Sequence, residues 1–251
     1  MNIEKQNYAM FFLGLLEGDG SIQVNHWKKR YLQYRFVIKL AYSDANYAMC
    51  AKLRDNLGVM NVHVRKNNIV MVEDHRDKIP ILMRIIEHYG LLLAHRRKQY
   101  AFFRYCFQHR CTYSEYAHIK ALNDTWSGFD KVNPASSAVM LSAPHWPHWL
   151  CGFTEAEGCF CIRANGNLSF SIAQKNGSEV MHAIKTFFNA TNKVRQTTRV
   201  HSIEIYATAV LTPLVEFYGS DSVVGLLGQK RLQWLVFKAA LQNKKAQRLV
   251  S

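Results

Sequence analysis

The chain has 251 residues, of which 49% are hydrophobic, enough to bury one large domain or two of about 125 residues. Its 32 Lys and Arg against 18 Asp and Glu give a formal charge of +14, which points to a polyanionic partner, nucleic acid before an anionic membrane. No apolar run approaches the ~20 residues of a membrane span, Met1 to Gln6 resembles neither a signal nor a transit peptide, and the six cysteines have no zinc-knuckle spacing; these exclude a spanning protein and a structural zinc domain, and suit free thiols in a reducing compartment.

In chain order, Tyr8 to Leu16 has no polar face, which predicts a helix covered on every side. It runs into Glu17-Gly18-Asp19-Gly20, and the closing glycine suits a left-handed position just past a helix end. Ile22 and Val24 then alternate with Ser21, Gln23 and Asn25. Beyond a turn through Lys28, Lys29 and Arg30, the residues Leu32, Tyr34, Phe36, Ile38 and Leu40 alternate with Tyr31, Gln33, Arg35, Val37 and Lys39. Alternation of period two predicts strands with one buried and one wet face. Here the wet face carries cations and amides, the groups that read phosphates and base edges; an ordinary solvated face is the plainer alternative.

Ser43 and Asp44 can cap a helix to about Leu57, closed by Gly58. Strands near 59–65 and 69–73 follow, with Asn67-Asn68 as their hairpin turn, then helices over 81–89 and from about His95 to Gln108. Residues 126–147 read as a linker, with Pro134, Pro144 and Pro147 interleaved with Ser136, Ser137 and Ser142. After it come strands near 159–164 and 168–174, a helix over 178–189, strands over 193–197 and 201–207, and helices to the end. The expectation is two halves, 1–125 and 148–251, each reading α-β-β-α-β-β-α.

The two halves share more than element order. Phe12-Leu13-Gly14-Leu15-Leu16-Glu17-Gly18-Asp19-Gly20 returns as Leu150-Cys151-Gly152-Phe153-Thr154-Glu155-Ala156-Glu157-Gly158, an internal repeat. Gly14 and Gly18, like Gly152 and Ala156, lie one turn apart on one helix face, where small residues let helices pack closely. If the two copies pack on each other, Asp19 and Glu157 meet at one point, each at the negative end of a helix. Like charges there repel and tend to hold a proton. A divalent metal removes the conflict, and two acids beside a metal form a phosphodiester-cleaving centre. A single copy would be read more plainly as a solvated acid at a helix end. A further correspondence is that Arg96 stands seven residues before Phe103, and Lys230 seven before Phe237.

These residues resemble the LAGLIDADG homing endonucleases, in the form that carries both motifs on one chain. Glu17 and Glu155 stand for the motif's first Asp, Glu157 for its second, and Thr154 interrupts the apolar run. The resemblance implies an α/β (α+β) monomer of two pseudo-symmetric αββαββα halves. Their antiparallel sheets would form a DNA-binding saddle, with the motif helices at the interface. It implies a site-specific endonuclease cutting both strands of a long asymmetric double-stranded DNA target across the minor groove, leaving short 3′ overhangs. The cofactor implied is Mg2+, with Mn2+ substituting and Ca2+ supporting binding without turnover.

By the same resemblance Asp19, Gly18, Glu157 and Ala156 are the metal-site residues. Lys230 and Arg96 line the pocket beside them and steady charge on the phosphate, and Gln174 orders a water where the first half has Leu40. The DNA-contact residues implied are Gln23, Asn25, Lys28, Lys29, Arg30, Gln33, Arg35, Lys39 and Arg65 in the first half, and Arg163, Lys175, Arg195 and Arg199 in the second. The alternative is an RNA maturase that assists its host intron without cutting DNA; a maturase, like a DNA-binding regulator on this fold, need not keep both acids. An intron-encoded protein of this kind would work inside the cell, in a mitochondrion or chloroplast.

Overall fold

The computed structural model describes residues 2–122 and 135–250. The first half runs α1 (Ile3–Asp19), β1 (Gly20–Trp27), β2 (Tyr31–Ala41), α2 (Asp44–Leu57), β3 (Asn61–Arg65), β4 (Asn68–Glu73), α3 (Ile79–Tyr89), α4 (Ala94–Gln108) and α5 (Tyr113–Leu122). After α6 (Ser137–Ser142), the order returns as α7 (Trp146–Glu157), β5 (Gly158–Ile162), β6 (Leu168–Lys175), α8 (Ser178–Phe187), β7 (Arg195–Thr197), β8 (Val200–Ile205), α9 (Thr208–Tyr218) and α10 (Gln229–Val250). The strands form two four-stranded antiparallel sheets, ordered β1-β2-β4-β3 and β5-β6-β8-β7. The α+β class and the repeated order are those expected from the alternating pattern.

The helices α1 and α7 form the seam. Every residue from Tyr8 to Glu17 is buried, as is every one from Trp149 to Glu155. A Cβ added at Gly14 would lie 1.9 Å from the Trp149 carbonyl oxygen, and one at Gly152 would lie 1.9 Å from that of Phe11. The two backbones therefore touch, and no side chain fits between them. One turn on, Gly18 faces the Cβ of Ala156. Each sheet turns its apolar face to the core: Ile22, Val24, Tyr34, Phe36, Ile38 and Leu40 are all under 10% exposed, and Phe103 and Phe237 are fully buried.

Local differences from the sequence reading have local causes. Gly20 and Gly158 are extended, with φ of −86° and −78°, and not left-handed. Glycine is needed there because a Cβ at Gly20 would lie 2.5 Å from the Leu16 carbonyl oxygen and one at Gly158 2.6 Å from the Thr154 methyl. The chain thus leaves each helix straight into a strand. The hairpin after β3 turns one residue earlier than expected, because Asn68 already pairs with Arg65 and Lys66 takes the positive φ of 50°. Ser43 and Gly58 do cap α2, Gly58 with a φ of 69°.

The stretch read as linker holds a short helix, capped by Ser136 and tied to α8 through the Ser137 N–H donating to Glu179 at 3.3 Å. Helix α7 begins within that stretch, with Pro147 in its first turn, where no N–H is required; Pro134 lies outside the described residues. All six cysteines are free, and no helix among the described residues is long and apolar enough to cross a membrane.

The backbone contact sets a stability test. In Gly152→Ala the new methyl must push α1 and α7 apart, and overpacking of this kind costs about 1–3 kcal/mol or more. Urea unfolding will show a lowered midpoint; an unchanged midpoint would mean the helices do not meet at Phe11.

Candidate active site

Because Gly18 faces Ala156, the residues that follow each, Asp19 and Glu157, end their helices side by side. Burial pushes the Asp19 carboxyl up to about 6, against the pull of the Lys230 and then the Arg96 cation. Glu157 is pushed up to about 7, by burial first and then by the neighbouring Asp19 charge; Arg96, a hydrogen bond from Gln174, and Lys230 pull it back. Asp19 remains open to solvent on one side.

Just inside the acids lie two buried carboxylates that hold the site in shape. Glu17 accepts from the N–H groups of Leu92 (3.0 Å) and Leu93 (2.6 Å), at the start of α4, and from the Trp149 indole of α7 (2.8 Å). Glu155 accepts from the N–H groups of Leu227 and Gly228 (2.7 Å each) and Lys230 (3.2 Å), at the start of α10. Each motif helix is thus bolted to the segment that delivers its half's basic residue. Burial raises both pKa values, that of Glu17 to about 7, while the donated hydrogen bonds favour the charged form. The sequence marked Glu17 and Glu155 as motif positions; their anchoring role had no signal, because the donors are backbone groups more than 70 residues away. Trp149 was missed for the same reason.

The two basic residues occupy matching places but are used differently. The guanidinium of Arg96, 8% exposed, donates to the Glu17 and Gly18 carbonyls and to the Gln99 side chain, each at 2.9 Å. It satisfies carbonyls that the end of α1 leaves without partners and puts positive charge at the negative helix end. The Lys230 ammonium makes no hydrogen bond among the described residues and acts on both acids through space. Gln174 is held in place, its side-chain oxygen accepting from the Lys175 N–H at 2.8 Å. The pairs Gly20↔Ile38 and Gly158↔Ile172 put Leu40 in its place in the first half. His95, half-buried between the charges of Arg96 and Lys175 and lowered to about 4, also stands here, and its sequence gave no signal beyond adjacency to Arg96.

The structure gathers Asp19, Gly18, Glu157, Ala156, Gln174, Lys230 and Arg96 at one point, and spreads the other candidates over the sheets. Strand register puts Gln23, Asn25, Gln33, Arg35 and Lys39 on the face opposite the core, with Arg65 at its edge. Lys28, Lys29 and Arg30 form the β1–β2 turn, at the far end of β1 from Asp19. Arg35 lies 3.7 Å from the Asp74 carboxylate, and Arg163 pairs with Glu204. Lys175, Arg195 and Arg199 are exposed at the end of β6, on β7 and in the β7–β8 turn.

Two carboxylates are a hard-oxygen donor set, and the Gly18 carbonyl beside them already accepts from Arg96. No cluster of three His, Cys, Asp or Glu occurs among the described residues, so two side-chain carboxylates would have to suffice. Mg2+ is held in that way, through one or two carboxylates with phosphate oxygens and water completing the shell.

The Trp149 contact yields a signed test. Its N–H favours charged Glu17, which holds a proton below about 7. Trp149→Phe keeps the ring but removes the donor, and should cost about 1–3 kcal/mol, more at pH 9 than at pH 5, in urea unfolding. Glu17's folded-state pKa lies above its ordinary value of 4.5. Its own contribution is therefore fully present below that value and is lost as pH rises through about 7.

The family model described as LAGLIDADG endonuclease matches residues 12–107. A probable intron-encoded endonuclease aI3 of Dictyostelium citrinum is 31% identical over 94% of this chain and 96% of its own length. A relative of the same description from Debaryomyces hansenii is also 31% identical over 94% of this chain, which spans 38% of that relative's length. Among solved structures, the LAGLIDADG meganuclease I-AabMI bound to uncleaved DNA has the same fold, with a TM-score of 0.71 at 21% identity over 95% of this chain and 92% of that one. With a relative this similar along nearly its whole length, and two motif helices meeting backbone to backbone, the chain belongs to the LAGLIDADG endonuclease family.

Proposed function

We propose that this protein is a homing endonuclease that hydrolyses one phosphodiester in each strand of a long, asymmetric double-stranded DNA site, using Mg2+ held at Asp19 and Glu157. The observation that carries this reading is the meeting of these two carboxylates at one point, both shifted toward holding protons. Held there, Mg2+ would supply Lewis acidity and lower the pKa of a water so that its hydroxide forms near neutral pH. Asp19 and Glu157 hold the metal, beside Gly18 and Ala156, and Gln174 orients the Glu157 carboxylate. The Lys230 ammonium steadies negative charge on the phosphate, and Arg96 fixes the end of α1 that carries Asp19. In each strand one water adds to phosphorus as the bond to the leaving oxygen breaks, the attacking water's proton passing to solvent and the leaving oxygen taking up a proton from solvent.

The two halves, residues 1–125 and 148–251 with 126–147 between them, each take half of the site as a monomer. The net charge of +14 and the polar sheet faces suit a DNA backbone and its grooves, as does the DNA seen with the related fold of I-AabMI. Mn2+ replaces Mg2+ in turnover, and Ca2+ supports binding alone. The relatives' names place their genes in introns, and we assign this chain to an organellar intron.

Selection of cleaved sites from a randomised DNA library with Mg2+, against a Ca2+ control, tests the activity; recovery of no cleaved site would refute it. Asp19→Asn and Glu157→Gln each keep shape but remove the charge the metal needs. Either should abolish double-strand cleavage while leaving DNA binding within about tenfold, because phosphate and base contacts are untouched. If both variants cut normally, the acids are only helix ends.

The raised pKa values add a pH test. Metal must displace protons that the acids hold below about 6 and about 7. Mg2+ added at pH 6.5 should therefore release protons, and cleavage should rise from pH 6 to pH 8. Without metal, both folded-state values lie above the ordinary 3.8 and 4.5, so stability falls as pH rises through 7. Mg2+ should then raise Tm more at pH 8 than at pH 5, where the acids stay protonated.

A further inference from the structure

The two sheets have the same strand order, so their registers can be compared row by row. Gly20↔Ile38 and Gly158↔Ile172 open the matching hairpins. The next outward-facing pair is Ser21 with Val37 in the first sheet and Cys159 with Ser171 in the second. Then Gln23 with Arg35 is answered by Cys161 with Ser169, the serine itself buried, and Lys39, beside Val70, is answered by Ala173 beside Ser202. Three long side chains with several donors, Gln23, Arg35 and Lys39, are thus replaced by Cys161, Ser169 and Ala173.

Of the charged groups on the second face, Arg163 and Glu204 pair with each other, as Arg35 lies beside Asp74 on the first, while Arg195 stays exposed on β7, at the opposite edge of the sheet from β5 and in the row of Ala173 and Ser202. Glu204 accepts from both Arg163 and Ser169. Cys159 is exposed and Cys161 half-exposed, both on the outward face of β5, whereas the other four cysteines are buried.

Reading a base pair in the major groove takes a side chain long enough to reach the floor and able to make two hydrogen bonds, as Arg makes to guanine and Gln or Asn to adenine. Ser, Cys and Ala end one or two atoms from Cα; Ser offers a single hydrogen bond that either base accepts, and Cys and Ala offer no paired bonds. They leave room for close approach, apolar contact with thymine methyls, and selection by shape and deformability.

We propose that the halves divide recognition unequally. The half-site under β1 and β2 carries most of the base discrimination near the cleavage centre. The half-site under β5 and β6 is held by shape, with the thiols of Cys159 and Cys161 lying in its groove. This rests on the DNA-cutting reading above and adds to it which face discriminates.

The test uses the full chain and Ca2+, so that binding is read without cleavage. Binding selection from a library randomised over both half-sites gives the discrimination at each position, and Arg35→Ala identifies the half-site under the first sheet by the position it relaxes. Near the centre, single base-pair changes in that half-site should cost about 10- to 100-fold in affinity, and mirrored changes in the other under about threefold. N-ethylmaleimide labelling, read by mass spectrometry, should slow at least about tenfold at Cys159 and Cys161 when the selected DNA is bound. The pair of substitutions Cys161→Gln and Ala173→Lys should then create discrimination of about tenfold in the weak half-site. Equal discrimination in both half-sites, or unprotected thiols on bound DNA, would overturn the division of labour while leaving the nuclease reading intact. Failure to retain any DNA would remove the reading on which it rests.

Discussion

Everything in this protein depends on two helix backbones touching. With Gly14 against the Trp149 carbonyl and Gly152 against that of Phe11, α1 and α7 approach as no pair with side chains at those positions could. The contact fixes one helix along the other, and so fixes where the helices end. Asp19 and Glu157 are neighbours for this reason and no other, since each lies on its own half of the chain. The acids emerge where the chain passes directly from helix to strand, so one seam sets both the chemical centre and the start of both sheets.

Burying two carboxylates at one point has a cost, visible as pKa values raised by burial at both Asp19 and Glu157 and, at Glu157, by the Asp19 charge as well. The surrounding structure offsets it in layers. Arg96 caps the carbonyls at the end of α1, and Glu17 and Glu155 bolt each motif helix to the start of the next long helix. The second layer is itself strained by burial, as the raised pKa of Glu17 shows, and is held by three donated hydrogen bonds, one crossing the seam from Trp149. A site with these properties favours a bound cation in the place of protons.

The pseudo-symmetry is one of backbone more than of chemistry. Leu40 stands where Gln174 stands, a fully engaged guanidinium where an open ammonium does, and a row of amides and cations where cysteine, serine and alanine do. An equal frame with unequal side chains suits a partner whose two halves differ, as a non-palindromic duplex does.

The amino-acid sequence by itself determined the repeat, the class of fold, the all-apolar helices, the alternating strands and the acids at matching positions. These are properties of residues near one another in the chain, where periods of 2 and 3.6 residues and small residues at one-turn spacing are read directly. It also located Arg96, Lys230 and Gln174, through spacing and resemblance. Only the tertiary structure decided what those residues touch. That Arg96 is committed to α1 carbonyls, that Trp149 reaches Glu17 across 132 residues, and that Ser169 answers Arg35 across the two sheets, all depend on contacts between distant segments. No local pattern encodes such contacts, because they exist only once the two halves have packed.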